Sequence, residues 1–275
     1  MELLMLRLVI ILSLLFALLF SEETPKRRFG ENNESRRDVI YANLTGAAVI
    51  TAWGIANWDY GKNKPHAGKE GWFSHDTKSG GADKLGHFYG AYLIGSSLSG
   101  LYAYWGYEKK EAALYGSLSS FLVMNYMEFG DAFSSYGFSY EDFVMNTLGA
   151  ASAYLLSAHP KLSRKVDFRI EYVPSFQTAD VVTEYEKMKY LIALKAEGFE
   201  SITHPYLRYG ELHLGYYTRN YKGGFSSQSE RIIYLGVGIN LSRLFRQNGY
   251  EKTARFFNYY QLPYTYLPLE KELND

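Results

Sequence analysis

The chain contains no cysteine among its 275 residues. That excludes disulfides, thiolate catalysis, cysteine-ligated zinc and a lipid-modified N-terminal cysteine. It carries no excess charge of either sign, with 29 Lys plus Arg against 29 Asp plus Glu. Bulk electrostatics therefore give no reason to expect nucleic acid or a strongly acidic partner. The nucleophile and nucleotide signatures G-x-S-x-G and G-x-x-x-x-G-K-[ST] are missing, and no G-x-G-x-x-G follows a strand-like segment. The N-terminal apolar run, Leu8 to Phe20 after Arg7, falls short of the roughly 20 residues that a bilayer span needs. What the chain has in abundance is 26 Tyr and 17 Phe, which suit large sheet or interfacial surfaces such as the aromatic belts of envelope proteins.

Leu8 to Phe20 is bounded by Ser21 and the polar Glu22 to Arg28. A run of that length suits a secretory signal, and the poor small-residue pattern at Leu18-Leu19-Phe20-Ser21 leaves an uncleaved anchor as the other reading. Residues 1–21 are thus expected to be signal peptide or N-terminal anchor, and 22–36 a polar lead-in. Either way the rest is expected to be exported, to the periplasm or outer membrane of a Gram-negative-type cell.

Four segments then read as helices: Val39 to Trp58, Asp83 to Trp105, Lys109 to Phe129, and Tyr140 to Ala158, the last stopped before Pro160. Between the first two lies a Gly- and Lys-rich loop holding Gly71-Trp72-Phe73 and Gly80-Gly81. The helices are apolar on more than one face yet rich in Gly, Ala and Ser. Gly86 and Gly90 form a G-x-x-x-G step that Gly95, Ser96, Ser99 and Gly100 continue, and such small residues let helix backbones approach closely, as they do in lipid. A tight soluble bundle is the alternative. After Pro160 the texture changes. Val166–Val173, Met188–Phe199, Tyr206–Thr218 and Arg231–Leu241 are rich in Ile, Leu, Val, Tyr and Phe with partial alternation. In the last, Ile233, Leu235, Val237, Ile239 and Leu241 share one face and Ile232, Tyr234, Gly236, Gly238 and Asn240 the other. Four strands are too few to close a transmembrane barrel, for which about eight is the practical minimum. The expected architecture is α+β: a helical region over 37–160, then an antiparallel β region over 165–275 with a short C-terminal helix at Tyr250 to Phe257. The sheet is expected to pack on the helices or to be completed by another subunit.

Three polar clusters interrupt the helical region: Asp83-Lys84-x-x-His87, Glu128-x-x-Asp131 and Asp142-x-x-x-Asn146. Each lies near a helix end, where ionisable groups among apolar residues need partners, and the economical reading brings them together. Asp83, Lys84 and His87 share a helical face, and a His four residues from an Asp suits a shared metal or an acid/base pair; Asp83 also reads as a helix cap. Carboxylates at a helix C-terminus oppose the macrodipole, so Glu128 and Asp131 need solvent or a cation. Ser139 with Asp142 reads as a near-capping box, and Asn146, set among Phe143, Met145 and Leu148, must be hydrogen-bonded. His66 and His75, in the loop, read as surface histidines. Candidate ligands for a divalent metal are His87, Glu128, Asp131 and Asp142.

Gly71-Trp72-Phe73, Gly80-Gly81-Ala82-Asp83-Lys84-Leu85-Gly86-His87-Phe88, Glu128-Phe129-Gly130-Asp131, Gly137-Phe138-Ser139, Asp142 and Asn146-x-x-Gly149 together resemble the YfiM-type family over about residues 40–158. Its uncharacterised members are predicted periplasmic or outer-membrane proteins, some of them lipoproteins. More loosely, the order Asp-Lys-x-x-His-Phe, Glu, Ser-x-x-Asp-x-x-x-Asn-x-x-Gly is similar to VanZ-like integral membrane proteins. The resemblance implies a compartment and a site, without an established activity; a lipid anchor does not carry over to a chain without cysteine. The leading expectation is a membrane-associated envelope protein whose cluster organises the helices and binds an ion or ligand. The rival is an enzyme acting on an envelope lipid or cell-wall precursor, with His87 as general base, Asp83 orienting it, and Glu128, Asp131 and Asp142 holding a cation. A third reading uses the Tyr-rich sheet as an assembly surface, for another envelope protein or a second copy of the chain.

Overall fold

The computed structural model describes residues 34–173, 184–221 and 224–273. The N-terminal apolar run and the lead-in as far as residue 33 lie outside the described residues. The chain divides into two compact units: one takes Ser21–Gly71 and Gly90–Ala158, the other Trp72–Tyr89 and His159–Asp275.

The first unit is helical. It holds α1 (Glu34–Asn57), most of α2 (Ala82–Tyr104), α3 (Lys109–Asp131) and α4 (Tyr140–Ala158), each within a few residues of the expected segment. The small residues lie where helices cross. A Cβ on Gly46 of α1 would lie 2.9 Å from Val123 of α3, one on Gly95 of α2 2.7 Å from Ala153 of α4, and one on Gly116 of α3 2.3 Å from the Ser99 backbone nitrogen of α2. Serines inside these crossings find partners: Ser120 Oγ donates to the Ala91 carbonyl at 2.6 Å, and Ser119 Oγ meets Tyr102 at 2.9 Å and Asn43 at 2.8 Å. The large apolar side chains point outward instead. Leu114, Leu118 and Leu122 form an exposed stripe on α3, and Ile40, Leu44 and Ile55 on α1 and Val144, Leu148 and Leu155 on α4 are exposed as well. This reverses the arrangement of an amphipathic soluble bundle. By length and composition α1, from Arg37 to Asn57, is able to cross a membrane.

The second unit is a five-stranded antiparallel meander of order β1-β2-β3-β4-β5. The strands are β1 (Val166–Tyr172), β2 (Met188–Lys195), β3 (Gly210–Arg219), β4 (Glu230–Ile239) and β5 (Tyr266–Glu272). A short α5 (Pro160–Ser163) precedes β1, and α6 (Leu241–Gln247) and α7 (Glu251–Phe256) link β4 to β5. The four expected strands and the short C-terminal helix are present; β5, α5 and α6 were not foreseen. Leu241 does not extend β4, because the Asn240 side chain accepts from the Arg243 amide at 2.9 Å and caps α6 there. Tyr206 and Phe199 likewise fall outside the strands, next to 3-10 turns at Leu207–Tyr209 and Ala196–Gly198.

The sheet has two unlike faces. On one, Arg169 donates to Glu211 at 2.7 and 3.0 Å and to Asp167 at 2.8 Å. Lys195 donates to Asp167 at 2.6 Å, and His213 lies 2.8 Å from Glu211. All five side chains are buried, and the segment after α7 sets Gln261 3.0 Å from Arg169. Burial opposes the charges on both Arg169 and Glu211, yet their mutual attraction wins. Arg169 is held firmly protonated by Asp167 and Glu211, and His213 and Arg169 keep Glu211 below the usual carboxylate range. The other face is apolar. Its lower half is covered by the start of α2 and the loop before it, with Phe88 against Phe168 (5.0 Å), Tyr89 against Tyr190 (6.1 Å) and Phe73 against Tyr216 (5.5 Å). Gly80 and Gly81, at φ +62° and +85°, make the turn that lets the Tyr216 hydroxyl donate to the Gly80 carbonyl.

Candidate functional site

In the sheet unit the first turns of α2 carry Asp83, Lys84 and His87. Asp83 is not itself the cap. It sits one residue inside the helix, where its carboxylate accepts from the Ser79 hydroxyl and its amide donates to Ser79 Oγ at 3.4 Å. Lys84, fully buried, pairs with Asp83 at 2.9 Å. Burial pushes the Asp83 carboxyl up, but Lys84, Ser79 and His87 together hold it below its ordinary value. The His87 contribution, from four residues along the helix, is the smallest of the three. Asp83 in turn adds to the burial that raises the Tyr190 phenol. Gly86, on the same turns, is required by the close approach of Tyr185, whose ring would lie 2.7 Å from a Cβ there.

In the helical unit α3 ends on Glu128 and Asp131, and α4 begins with Asp142 and Asn146. Asn146, fully buried, donates to Glu128 Oε1 and to the Met124 carbonyl, both at 3.4 Å, so the amide is hydrogen-bonded as expected. The Ser139 cap forms as well: its hydroxyl accepts from the Asp142 amide at 3.2 Å. Glu128, Glu141 and Asp142 are all nearly inaccessible. Asp131 has its carboxyl pushed up to about 7, first by burial and then by the negative charges of Glu70 and Asp142, with the Tyr60 hydroxyl pulling the other way. Glu128, Asp131, Asp142 and Asn146 therefore form one group, to which the structure adds two residues that the sequence reading missed.

The first is Tyr60. Its ring occupies the space where a Cβ would stand on Gly54 (2.2 Å) and on Gly130 (2.3 Å), and its hydroxyl donates to the Met127 carbonyl at 2.9 Å. That is the physical reason for glycine between Phe129 and Asp131. The second is Glu70, carried by a loop stitched to the α3–α4 connection. His66 donates its amide to Ala132, the Gly68 amide to Phe138 at 2.8 Å, and the Phe138 amide back to His66 at 2.9 Å. Gly68 and Gly137 stand face to face in that suture, leaving 2.6 Å between a Gly137 Cβ and the Gly68 nitrogen. No local sequence signal marks Tyr60 or Glu70, because the glycine contacts that place them are made across space. His66 is exposed, as expected. His75 is not a plain surface histidine: its Nε2 lies 2.6 Å from the Ser229 carbonyl and its ring packs on Phe225 at 5.0 Å.

Residues 69–158 match the family described as "Predicted periplasmic lipoprotein (DUF2279)". That stretch is about a third of the chain and contains all seven candidate residues and Glu70. A search of the curated proteins and of the solved structures gives no match. The family match and the signal-like Leu8 to Phe20 agree on the compartment: the chain is an exported cell-envelope protein of the periplasm or outer membrane.

Proposed function

We propose that the chain is a membrane-bound envelope protein that holds a divalent cation in a site built from Glu70, Glu128, Asp131, Asp142 and Asn146 of the helical unit. The observation that carries the reading is a crowding of negative charge: Glu70, Glu128, Asp131 and Asp142 bring four carboxylates into one part of the helical unit. Glu70 and Asp142 already act on Asp131 strongly enough to help keep it protonated near neutral pH. A divalent cation offsets such crowding, and carboxylate and amide oxygens are a suitable donor set. The motif order, similar to the YfiM-type and VanZ-like proteins, belongs to the same reading. Membrane binding is supported by the outward apolar stripes, with α1 as the segment that crosses.

The test is elemental analysis of the purified chain together with its thermal midpoint with and without a chelator. Bound metal and a midpoint lowered by chelation are expected, and both should be lost in Asp142→Asn and Glu128→Gln. A metal-free protein whose midpoint ignores both chelator and added Mn2+, Zn2+ or Ca2+ would reduce the cluster to architecture. The Asp83–His87 pairing supports a second reading, metal-assisted hydrolysis or transfer on an envelope lipid or cell-wall precursor with His87 as base. There His87→Gln would keep the metal and lose the activity.

A further inference from the structure

Among the described residues, nothing covers the upper half of the sheet's apolar face. Cross-strand partners place Leu212, Val237 and Leu267 in one row, and Leu214, Leu235 and Leu269 in the next. Leu194, opposite Leu212, and Ile239, at the end of β4, extend the rows. These side chains are between 42% and 80% exposed and every one is aliphatic. Together they present roughly 800 Å2, well beyond the few hundred Å2 usual for the surface of a monomer and about what each partner gives to a standard protein interface.

We infer that this face is the contact between two copies of the chain, packed sheet on sheet about a two-fold axis. Lipid does not fit it. From Leu235 to Ile239 the apolar band runs only about 14 Å along the strand, against about 25 Å for a membrane-facing sheet, and five strands do not close. Beyond Leu269 the same face continues to Lys271, paired with Ile233. An open sheet also ends in strands with an unpaired edge: β1 and β5 are the outer strands here. In hydrocarbon such edges would leave backbone N–H and C=O groups without partners. Against a second copy those edges stay in water while only the aliphatic face is buried, as in an aligned sandwich with sheets about 10 Å apart. The rows bear no charge, so self-pairing brings no like charges together, and a two-fold contact needs only a surface complementary to itself.

The absence of cysteine makes the test clean, because any introduced thiol is unique. Leu214→Cys, Leu235→Cys and Val237→Cys, made one at a time in the full-length chain, are oxidised in intact cells and run on non-reducing gels. A disulfide-linked homodimer is expected from at least one of them, and none from Glu251→Cys, at an exposed position on α7. Leu235→Asp with Val237→Asp is expected to raise the dimer dissociation constant of the purified chain roughly tenfold or more, with circular dichroism and melting confirming an intact fold. Three results would each overturn the inference. The first is a monomer at micromolar concentration without crosslinks. The second is a crosslinked adduct that contains a different protein. The third is an Asp pair that leaves the oligomer intact but releases the chain from phosphatidylethanolamine–phosphatidylglycerol vesicles.

Discussion

The same substitution, Gly to Ala, should have opposite effects at two positions of the helical unit. At Gly116 of α3 an added Cβ would stand 2.3 Å from the Ser99 backbone nitrogen, 2.5 Å from Ser99 Oγ and 2.7 Å from Ser99 Cα. Non-bonded heavy atoms are comfortable at about 3.5–4.0 Å, and the obstruction is largely backbone, so α2 and α3 must part by about 1 Å. Overpacking costs about 1–3 kcal/mol, a backbone approach this close belongs at about 2–3 kcal/mol of that range, and alanine's higher helix propensity returns about 1 kcal/mol. The net expectation is a loss of about 1–2 kcal/mol, which lowers the melting temperature by roughly 2–8 °C at 2–4 °C per kcal/mol. At Gly100 of α2 nothing lies within 4 Å of the added carbon. Only the propensity term remains, and Gly100→Ala should stabilise by up to about 1 kcal/mol. Both variants are read by circular dichroism melts in one detergent, so environment cancels in the difference. A Gly116→Ala protein that melts at or above wild type would refute the claim that glycine is there for close helix approach.

Gly130→Ala should displace the Tyr60 ring, lower the melting temperature by a comparable amount and change Tyr60 solvent access, which ultraviolet difference spectra report. Asn146→Ala removes the donor to Glu128 and should cost about 1–3 kcal/mol, with protein level falling in step; an unchanged melt would show that the amide is held for a ligand. Arg169→Met removes the cation shared by Glu211 and Asp167, leaving them His213 and Lys195, and should cost about 3–5 kcal/mol by urea titration; a merely marginal effect would mean that water reaches the network. Glu211, held below its ordinary value, is stabilising above the unfolded carboxylate range of about 4.3, and that contribution is lost as pH falls through the folded value. The acid limb of the urea midpoint should flatten in Glu211→Gln.

How far the sequence could be read depended on the kind of signal. Helices α1 to α4 were legible because punctuation agrees with composition: Gly80-Gly81 before α2, Ser139 before α4, Pro160 after it. β5 was not, because Tyr266-Leu267-Pro268-Leu269-Glu270-Lys271-Glu272 ends in charge and contains proline, and only an edge strand tolerates a residue that cannot donate to the ladder. α6 was hidden by Leu241, which continues the alternation of β4 although Asn240 has already capped the helix. In the polar cluster, the common helical face of Asp83 and His87 was legible from helical geometry alone. That Asn146 needs a hydrogen bond was legible too, but the partners suggested by sequence were Asp142 or His87, whereas the structure gives Glu128 and the Met124 carbonyl. Tyr60 and Glu70 come from a loop whose path is set by two glycines meeting across space, and no local pattern encodes that.

An alternating strand announces two faces without saying which is inside. In β4 the aliphatic side, Leu235, Val237 and Ile239, is the exposed one, and Tyr234, Gly236 and Gly238 are buried. The glycines give the reason. A Cβ on Gly238 would lie 2.8 Å from His213 Cε1 and one on Gly236 3.4 Å from His213 Cβ, so the side with least bulk makes room for the His213–Glu211–Arg169 network. The helical unit has the same inversion, with glycine, serine and the carboxylates inside and leucine outside. In water alone either unit would expose a large aliphatic surface with nothing to offset it. The remedies differ because the backbones differ. A helix satisfies its own N–H and C=O groups and can turn leucine toward lipid. An open five-stranded sheet cannot bring its outer edges there, and so its aliphatic face is better covered by another protein surface whose rim remains wet.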